Sequence, residues 1–219
     1  MITAHRGRHM GFYSTRILPA LLDMATSGAG TERLRREALA PARGRVLDIG
    51  FGTGGNVPFF PPDVVSVVGL DPNPGVERRA RRRIRAAAIP IELRIGAGER
   101  LPFPDASFDT VVTTLVLCSV GDPAATLKEI RRVLAPGGRY LLLEHGLAPD
   151  ADVQKWQRRL NPVNRAVFGC SLTRPIGQIL TRNGFTFTSS REFFRDDAPK
   201  FAAFTTMAQA VPSGSEKAL

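Results

Sequence analysis

A chain of 219 residues, of which 43% are hydrophobic, 7% aromatic and 23% charged, fits one globular domain with its own core. That composition excludes wholesale disorder, collagen and coiled coil. The net charge of +10 would suit a nucleic-acid or anionic-membrane partner. However, only Lys128, Lys155, Lys200 and Lys217 are lysines among the 30 basic residues. An excess of arginine beside abundant alanine is better read as the codon bias of a GC-rich genome.

Residues 1–44 read as helical, with Ile17, Leu18, Leu21 and Leu22 on one apolar face, and are expected to form a lid. From Arg45 onward, β-branched runs alternate with segments of helical period. Residues 46–49 read as a strand ending in glycines, and 64–70 as a second, apolar on both faces as buried parallel strands are. Residues 74–88 read as a helix, with Val76, Ala80 and Ile84 on one stripe. Arg78, Arg79, Arg81, Arg82, Arg83 and Arg85 cover its solvated remainder. Strands are predicted at 91–95 and 108–117. A helix through Leu127, Ile130 and Leu134 should close at Pro136-Gly137-Gly138. A strand over 139–144 precedes a helix through Val153, Trp156 and Leu160, with Trp156 as core, stopped near Pro162. A helix over 174–183, a half-buried strand at 185–188 and a last strand within 200–211 complete the domain, 45–211, and residues 212–219 form a disordered tail. Such alternation predicts an α/β doubly wound sheet with helices on both sides.

The longest uncharged apolar stretch, residues 111–120, is too short to cross a membrane. The first residues lack the apolar core of a signal peptide, so a cytoplasmic, reducing setting is expected. Cys118 and Cys170 make no CxxC pair, and three histidines add little toward a dedicated zinc site.

Ligands of doubly wound sheets lie outside the carboxyl ends of the strands. There, Gly50, Gly52 and Gly55 satisfy G-x-G-x-x-G, a loop that aims backbone N–H groups at a ligand. Asp71, closing the second strand, is where a carboxylate accepts both hydroxyls of a ribose. On these residues alone the adenosine could belong to NAD or to S-adenosylmethionine. Three features separate the two: Asp48 two residues before the first glycine, giving D-x-G-x-G-x-G; the stretch 99–109 ending Ser107-Phe108-Asp109; and Leu134-Ala135-Pro136-Gly137-Gly138.

In this order and spacing, residues 44–145 resemble the class I S-adenosylmethionine-dependent methyltransferases. The resemblance implies a Rossmann-like sheet of seven strands, mostly parallel with an antiparallel last strand, and the helical N-terminus as lid. It implies that the loop of Asp48, Gly50, Gly52, Gly54 and Asn56 holds the methionine part of the cofactor. Asp71 would bind the ribose and Pro72 and Asn73 flank the adenine. Ala97 stands where an aspartate usually meets the adenine amine, leaving that task to the backbone of Ala97 and Gly98 or to Glu99. Leu115 falls beside the cofactor, and Tyr13 could fold over its carboxylate.

Two further stretches narrow the resemblance: residues 114–120, and Glu144-His145-Gly146 followed by Trp156-Gln157, Leu160-Asn161-Pro162 and residues 168–174. They are similar to the methyltransferase-like group that includes the animal alkyl thiol S-methyltransferases. Those enzymes carry an apolar N-terminal anchor that is not read here, so no membrane attachment is expected. A small thiol is the implied acceptor, with Leu117, Cys118, Trp156 and Phe168 as its pocket. His145 is the candidate base, balanced against a role capping its strand. No metal is expected, because direct methyl transfer needs none. N- or O-methylation of a phospholipid, quinone or secondary metabolite is the alternative, and an NAD-dependent oxidoreductase the distant one. The absence of an RNA-binding module and of basic runs interleaved with aromatics argues against nucleic acid.

Overall fold

The computed structural model describes residues 28–214, so Tyr13 and the apolar face at residues 17–22 lie outside the described residues. Strand β1, Gly44–Ile49, alternates as a strand must: Leu47 and Ile49 point into one core and Val46 into the other, all three buried. The same alternation runs through β4, Phe108–Thr114, and β5, Leu134–His145, where Val111 and Leu142 face one side and Val112 and Leu141 the other. With β2, Val64–Asp71, and β3, Ile91–Ile95, these strands form a parallel array. Strands β6, Phe185–Phe194, and β7, Phe204–Pro212, complete a seven-stranded sheet in the order β3-β2-β1-β4-β5-β7-β6. Strand β7 runs antiparallel to both its neighbours, as the resemblance implies for the last strand.

Helices cover both faces. On one, α3 (Pro123–Val133) buries Leu127, Ile130 and Val133, and α5 (Ile176–Arg182) buries Ile176 and Leu180. On the other, α1 (Ala29–Leu39) brings Leu39 and α2 (Glu77–Arg85) brings Ala80. Each fully buried Leu or Ile stabilises the fold by roughly 1.5–3 kcal/mol. Helix α4 (Ala151–Phe168) and the short α6 (Lys200–Ala203) lie toward the end of the chain. From β1 the chain passes to β2 on one side and to β4 on the other, so the strand order reverses there and a crevice opens at the carboxyl ends.

Several elements depart from expectation. Strand β4 stops at Thr114, three residues early, although the apolar run continues. Leu115 takes φ +60°, and the next two amides, of Val116 and Leu117, donate to Glu144 Oε1 at 2.9 and 3.0 Å. A buried carboxylate thus outcompetes the sheet for those donors. The predicted 74–88 helix is a 3₁₀ turn, Pro74–Val76, followed by α2 only to Arg85. Residues 136–138 do not follow a helix end but lie within β5, where Gly137 at φ +73° absorbs a shift of register against β4. Residues 200–203 are helical, and the last strand begins only at Phe204.

Helix α4 runs straight through Pro162 to Gly169, whose φ of +74° ends it. Proline removes one backbone donor, and the helix is secured elsewhere. Asp150 accepts from the amides of Asp152 and Val153 at 2.9 and 3.1 Å. The buried Gln157 bridges Gly146 and Ala148 at 2.9 and 3.0 Å. Trp156 is not core: it is 56% exposed, while Val153 and Gln157 take the buried face. Helix α1, inside the segment expected as lid, packs Leu34 and Ala38 on Leu143.

Candidate active site

The crevice is a cavity of about 550 Å³, within the range of small-molecule sites. Its floor is the loop after β1. Gly50 turns with φ +69°, and a Cβ there would meet Val116 Cγ2 at 2.3 Å, so only glycine lets the loop and the 115–117 turn approach. Asp71, at the end of β2, reaches across: its Oδ2 accepts from the Gly52 amide at 2.9 Å and its Oδ1 from the Asn73 amide at 2.8 Å. Burial pushes its carboxyl above the usual range, and those two amides hold it down in part.

Asp48 does not line the cavity but lies fully buried beneath the loop. Both its oxygens accept from Asn56 Nδ2 at 3.0 Å, and the same amide donates to Thr114 Oγ1 at 3.2 Å. Arg35 of α1 donates to Asn56 Oδ1. Burial drives the Asp48 carboxyl up to about 7, against the pull of Asn56 and of the Arg35 charge. The chain Arg35–Asn56–Asp48 thereby fastens α1, the glycine loop and β1 to each other.

Pro72, Asn73, Ala97, Gly98, Glu99 and Leu115 line the cavity together with Gly50, Gly52 and Asn56, whereas Gly54 turns within the loop at φ +81°. Glu99 Oε1 accepts from the Gly121 amide at 2.8 Å, so that oxygen holds the entrance to α3. Sequence reasoning missed Arg35, Glu32, Val116 and Arg83, which also line the cavity. Arg83 donates to the Thr53 carbonyl and hydroxyl at 3.0 and 2.8 Å, which sets it apart from the solvated arginines of its helix. In the sequence nothing distinguishes Arg35 from Arg33 and Arg36, or Arg83 from its five companions.

The expected acceptor pocket is not assembled around this cavity. Leu117 is buried in the core, Trp156 and Phe168 are exposed on α4, and neither these three nor Cys118 and His145 are among the lining residues. Instead, His145 lies with Cys118 and Cys170, their ligand atoms all within 4.8 Å of one another. Burial alone would lower the imidazole pKa. The Cys170 sulfur and the Glu144 carboxylate beside it push the other way, and the balance lies above the ordinary value. Glu144 itself is buried, which raises its carboxyl, with Oε1 committed to the 116–117 amides.

A glycine loop after β1, a carboxylate closing β2 and a reversal of strand order between β1 and β4 are the architecture of a nucleoside-binding α/β domain. The family profile described as "Methyltransferase domain" matches residues 47–142. Over this stretch the chain is similar to a methyltransferase domain. Thiol S-methyltransferase TMT1A of Homo sapiens is 38% identical over 149 residues, covering 64% of this chain and 59% of the human protein. The demethylmenaquinone methyltransferase of Deinococcus radiodurans is 36% identical over 131 residues, covering 58% and 54%. The chain thus spans little more than half the length of these relatives. The crystal structure of the Bacillus subtilis YcgJ protein superposes with a TM-score of 0.64 at 20% identity, covering 83% of this chain and 97% of that one, which is a likeness of fold. Among the described residues no helix is long and apolar enough to cross a membrane.

Proposed function

We propose that this chain transfers a methyl group from S-adenosylmethionine to a small-molecule acceptor, and that the acceptor is a thiol. The observation that carries the reading is the Asp71 carboxylate facing the glycine loop across the cavity. Each of its oxygens accepts one backbone amide and keeps a further lone pair for a ribose hydroxyl. The fit extends to the loop, where a Cβ at Gly52 would meet nothing nearer than the Gly50 carbonyl at 3.8 Å, leaving room for a ligand against the backbone.

When bound, the cofactor supplies an electrophilic methyl on a sulfonium. In our reading Asp71 would hold the ribose, and the backbone of Gly50 and Gly52, steadied by Asp48 and Asn56, would cradle the methionine part. Pro72 and Asn73 flank the adenine. Recognition of its amine would fall to the backbone of Ala97 and Gly98 or to Glu99, whose Oε1 also accepts from Gly121. Leu115 and Val116, which line the cavity with apolar side chains, would help to exclude water. That methyl would pass to the acceptor sulfur, and the thiol proton would leave to solvent. A thiol with pKa near ~8.5 needs only a modest field to provide thiolate. His145 lies outside the cavity lining and is not assigned as base.

The likeness to TMT1A supports the thiol. The likeness to a demethylmenaquinone methyltransferase supports a second reading, methylation of a quinone ring carbon, which would require a positioned base. The test is turnover with S-adenosylmethionine, detecting S-adenosylhomocysteine against small thiols, phenols, amines, phosphatidylethanolamine and a demethylmenaquinone analogue. Turnover confined to thiols is expected. Turnover only with the quinone would keep the cofactor site and overturn the acceptor. Calorimetry showing NAD bound and S-adenosylhomocysteine ignored would overturn the reading altogether.

A further inference from the structure

Three sequence-distant residues meet on one side of the 115–121 turn. Cys118 comes from that turn, His145 is the last residue of β5, and Cys170 follows the glycine that ends α4. Their Sγ, imidazole N and Sγ atoms all lie within 4.8 Å of one another. We propose that Cys118, His145 and Cys170 form a binding site for a soft d¹⁰ cation, with zinc as the ion that tests it.

Cysteine and histidine are the donors of zinc, at about 2.3 Å for sulfur and 2.0–2.1 Å for nitrogen. A tetrahedral ion with those bond lengths holds its ligand atoms roughly 3.5–3.8 Å apart. Closing the cluster onto an ion therefore asks for side-chain shifts on the order of 1 Å, without backbone rebuilding. Cys118 is buried and Cys170 partly so, and the Ser171 amide donates to the Cys118 carbonyl at 2.8 Å, locking the two cysteine segments in register.

The alternative is two packed thiols beside a core histidine, and two observations favour a ligand. The His145 Nδ1 atom is buried with no hydrogen-bond partner, a state that a satisfied core histidine avoids. Asn164 Nδ2 donates both to the Cys170 carbonyl at 2.7 Å and to its Sγ at 3.2 Å. An amide N–H aimed at a ligand atom is the kind of outer partner that orients metal ligands. The charged groups facing the cluster are Glu144, beside His145, and Arg174, beside Cys118, whose guanidinium is held by the carbonyls of Leu117 and Val120.

Binding is a simple exchange: the divalent ion gains two S–metal bonds and one N–metal bond, and two thiol protons leave to solvent. Three protein ligands leave the fourth position for water or another small donor, the coordination of an open rather than a closed zinc site. None of this depends on the cofactor or the methyl acceptor, so it stands or falls apart from the proposed activity.

The experiment uses the full chain, reduced, stripped with chelator and desalted, and titrated with Zn²⁺ against a chromogenic competitor. One ion per chain is expected. Co²⁺ loading should give thiolate-to-metal charge transfer and tetrahedral d–d absorption. Cys170→Ser and His145→Gln should each weaken Zn²⁺ binding at least tenfold while keeping the far-UV circular dichroism of the parent. Cys118→Ser should do the same, and if that buried substitution fails to fold, the other two carry the test. Zinc uptake below one ion per chain, affinity unchanged in Cys170→Ser and His145→Gln, or a Co²⁺ spectrum without charge transfer would each overturn the site. So would a Cys118–Cys170 disulfide that forms readily in a protein whose reduced form ignores zinc.

Discussion

Asp48 offers the most direct check on the electrostatics beneath the glycine loop. Its carboxyl titrates at about 7 in the folded protein, against 3.8 ordinarily. Burial is the cause, and the Asn56 hydrogen bonds and the Arg35 charge only reduce it. In the unfolded chain the group ionises near pH 4, while the folded chain keeps the proton until near pH 7. Between those values the unfolded state is the more ionised, so rising pH withdraws stability; below and above the window the contribution is constant. About three units at roughly 1.4 kcal/mol each give a loss of ~4 kcal/mol across the window, as an order of magnitude. Asp48→Asn removes this titration. It also sets an amide against the Asn56 amide, at a pH-independent cost of about 1–3 kcal/mol. The assay is urea unfolding by circular dichroism, for the parent and the variant, at half-unit steps from pH 4 to pH 8. The gap between the two curves should move steadily in the variant's favour as pH rises toward 7. Parallel curves would show that Asp48 ionises normally and that the reasoning from its burial is wrong.

Asp71→Ala should raise the Kd for S-adenosylhomocysteine at least tenfold, since each charge-assisted hydrogen bond lost is worth about 1.5–3 kcal/mol. Unaltered calorimetric affinity would remove Asp71 from the site. Gly50→Ala puts a Cβ 2.3 Å from Val116 Cγ2 at a φ of +69°, and should cost roughly 2–5 kcal/mol through strain and overpacking; an unshifted melting temperature would contradict the geometry. Arg132→Leu releases the carbonyls of Leu101 and Phe103 and leaves Glu129 with only the Leu101 amide on Oε2, at about 2–4 kcal/mol. Because Arg132 holds the Glu129 carboxyl below its usual range, that pairing is fully present above pH ~4.3 and fades as pH falls through the folded value. The parent's margin over the variant should therefore shrink in acid, and a constant margin would refute the coupling.

The parallel strands were legible because burial on both faces imposes continuous apolar runs, and Asp71 and the glycine loop because their chemistry requires those residues directly after a strand. Other features depended on tertiary partners invisible in one dimension. The end of β4 is decided by Glu144, thirty residues away, and α4 continues past Pro162 to Gly169, next to which the Cys170 carbonyl accepts from Asn164 Nδ2. Trp156 had the spacing of a core residue, but helical period gives a stripe without saying which stripe faces the sheet. Cys118, His145 and Cys170 carry no motif, since ligands brought together from three elements leave no fixed spacing. Arg35 and Arg83 were hidden among neighbours of the same type.

The place of β7 has a consequence for synthesis. It lies between β5 and β6, although it follows both in the chain. Until residues 204–212 leave the ribosome, β5 presents an unpaired edge, and β6 has no neighbour to join. The sheet therefore cannot close progressively from the amino terminus; the nascent chain must keep an exposed strand edge until its last segment arrives. Any truncation before Phe204 would fix the protein in that open-edged state, with the cavity-forming half complete and the other half prone to pair with whatever strand it meets.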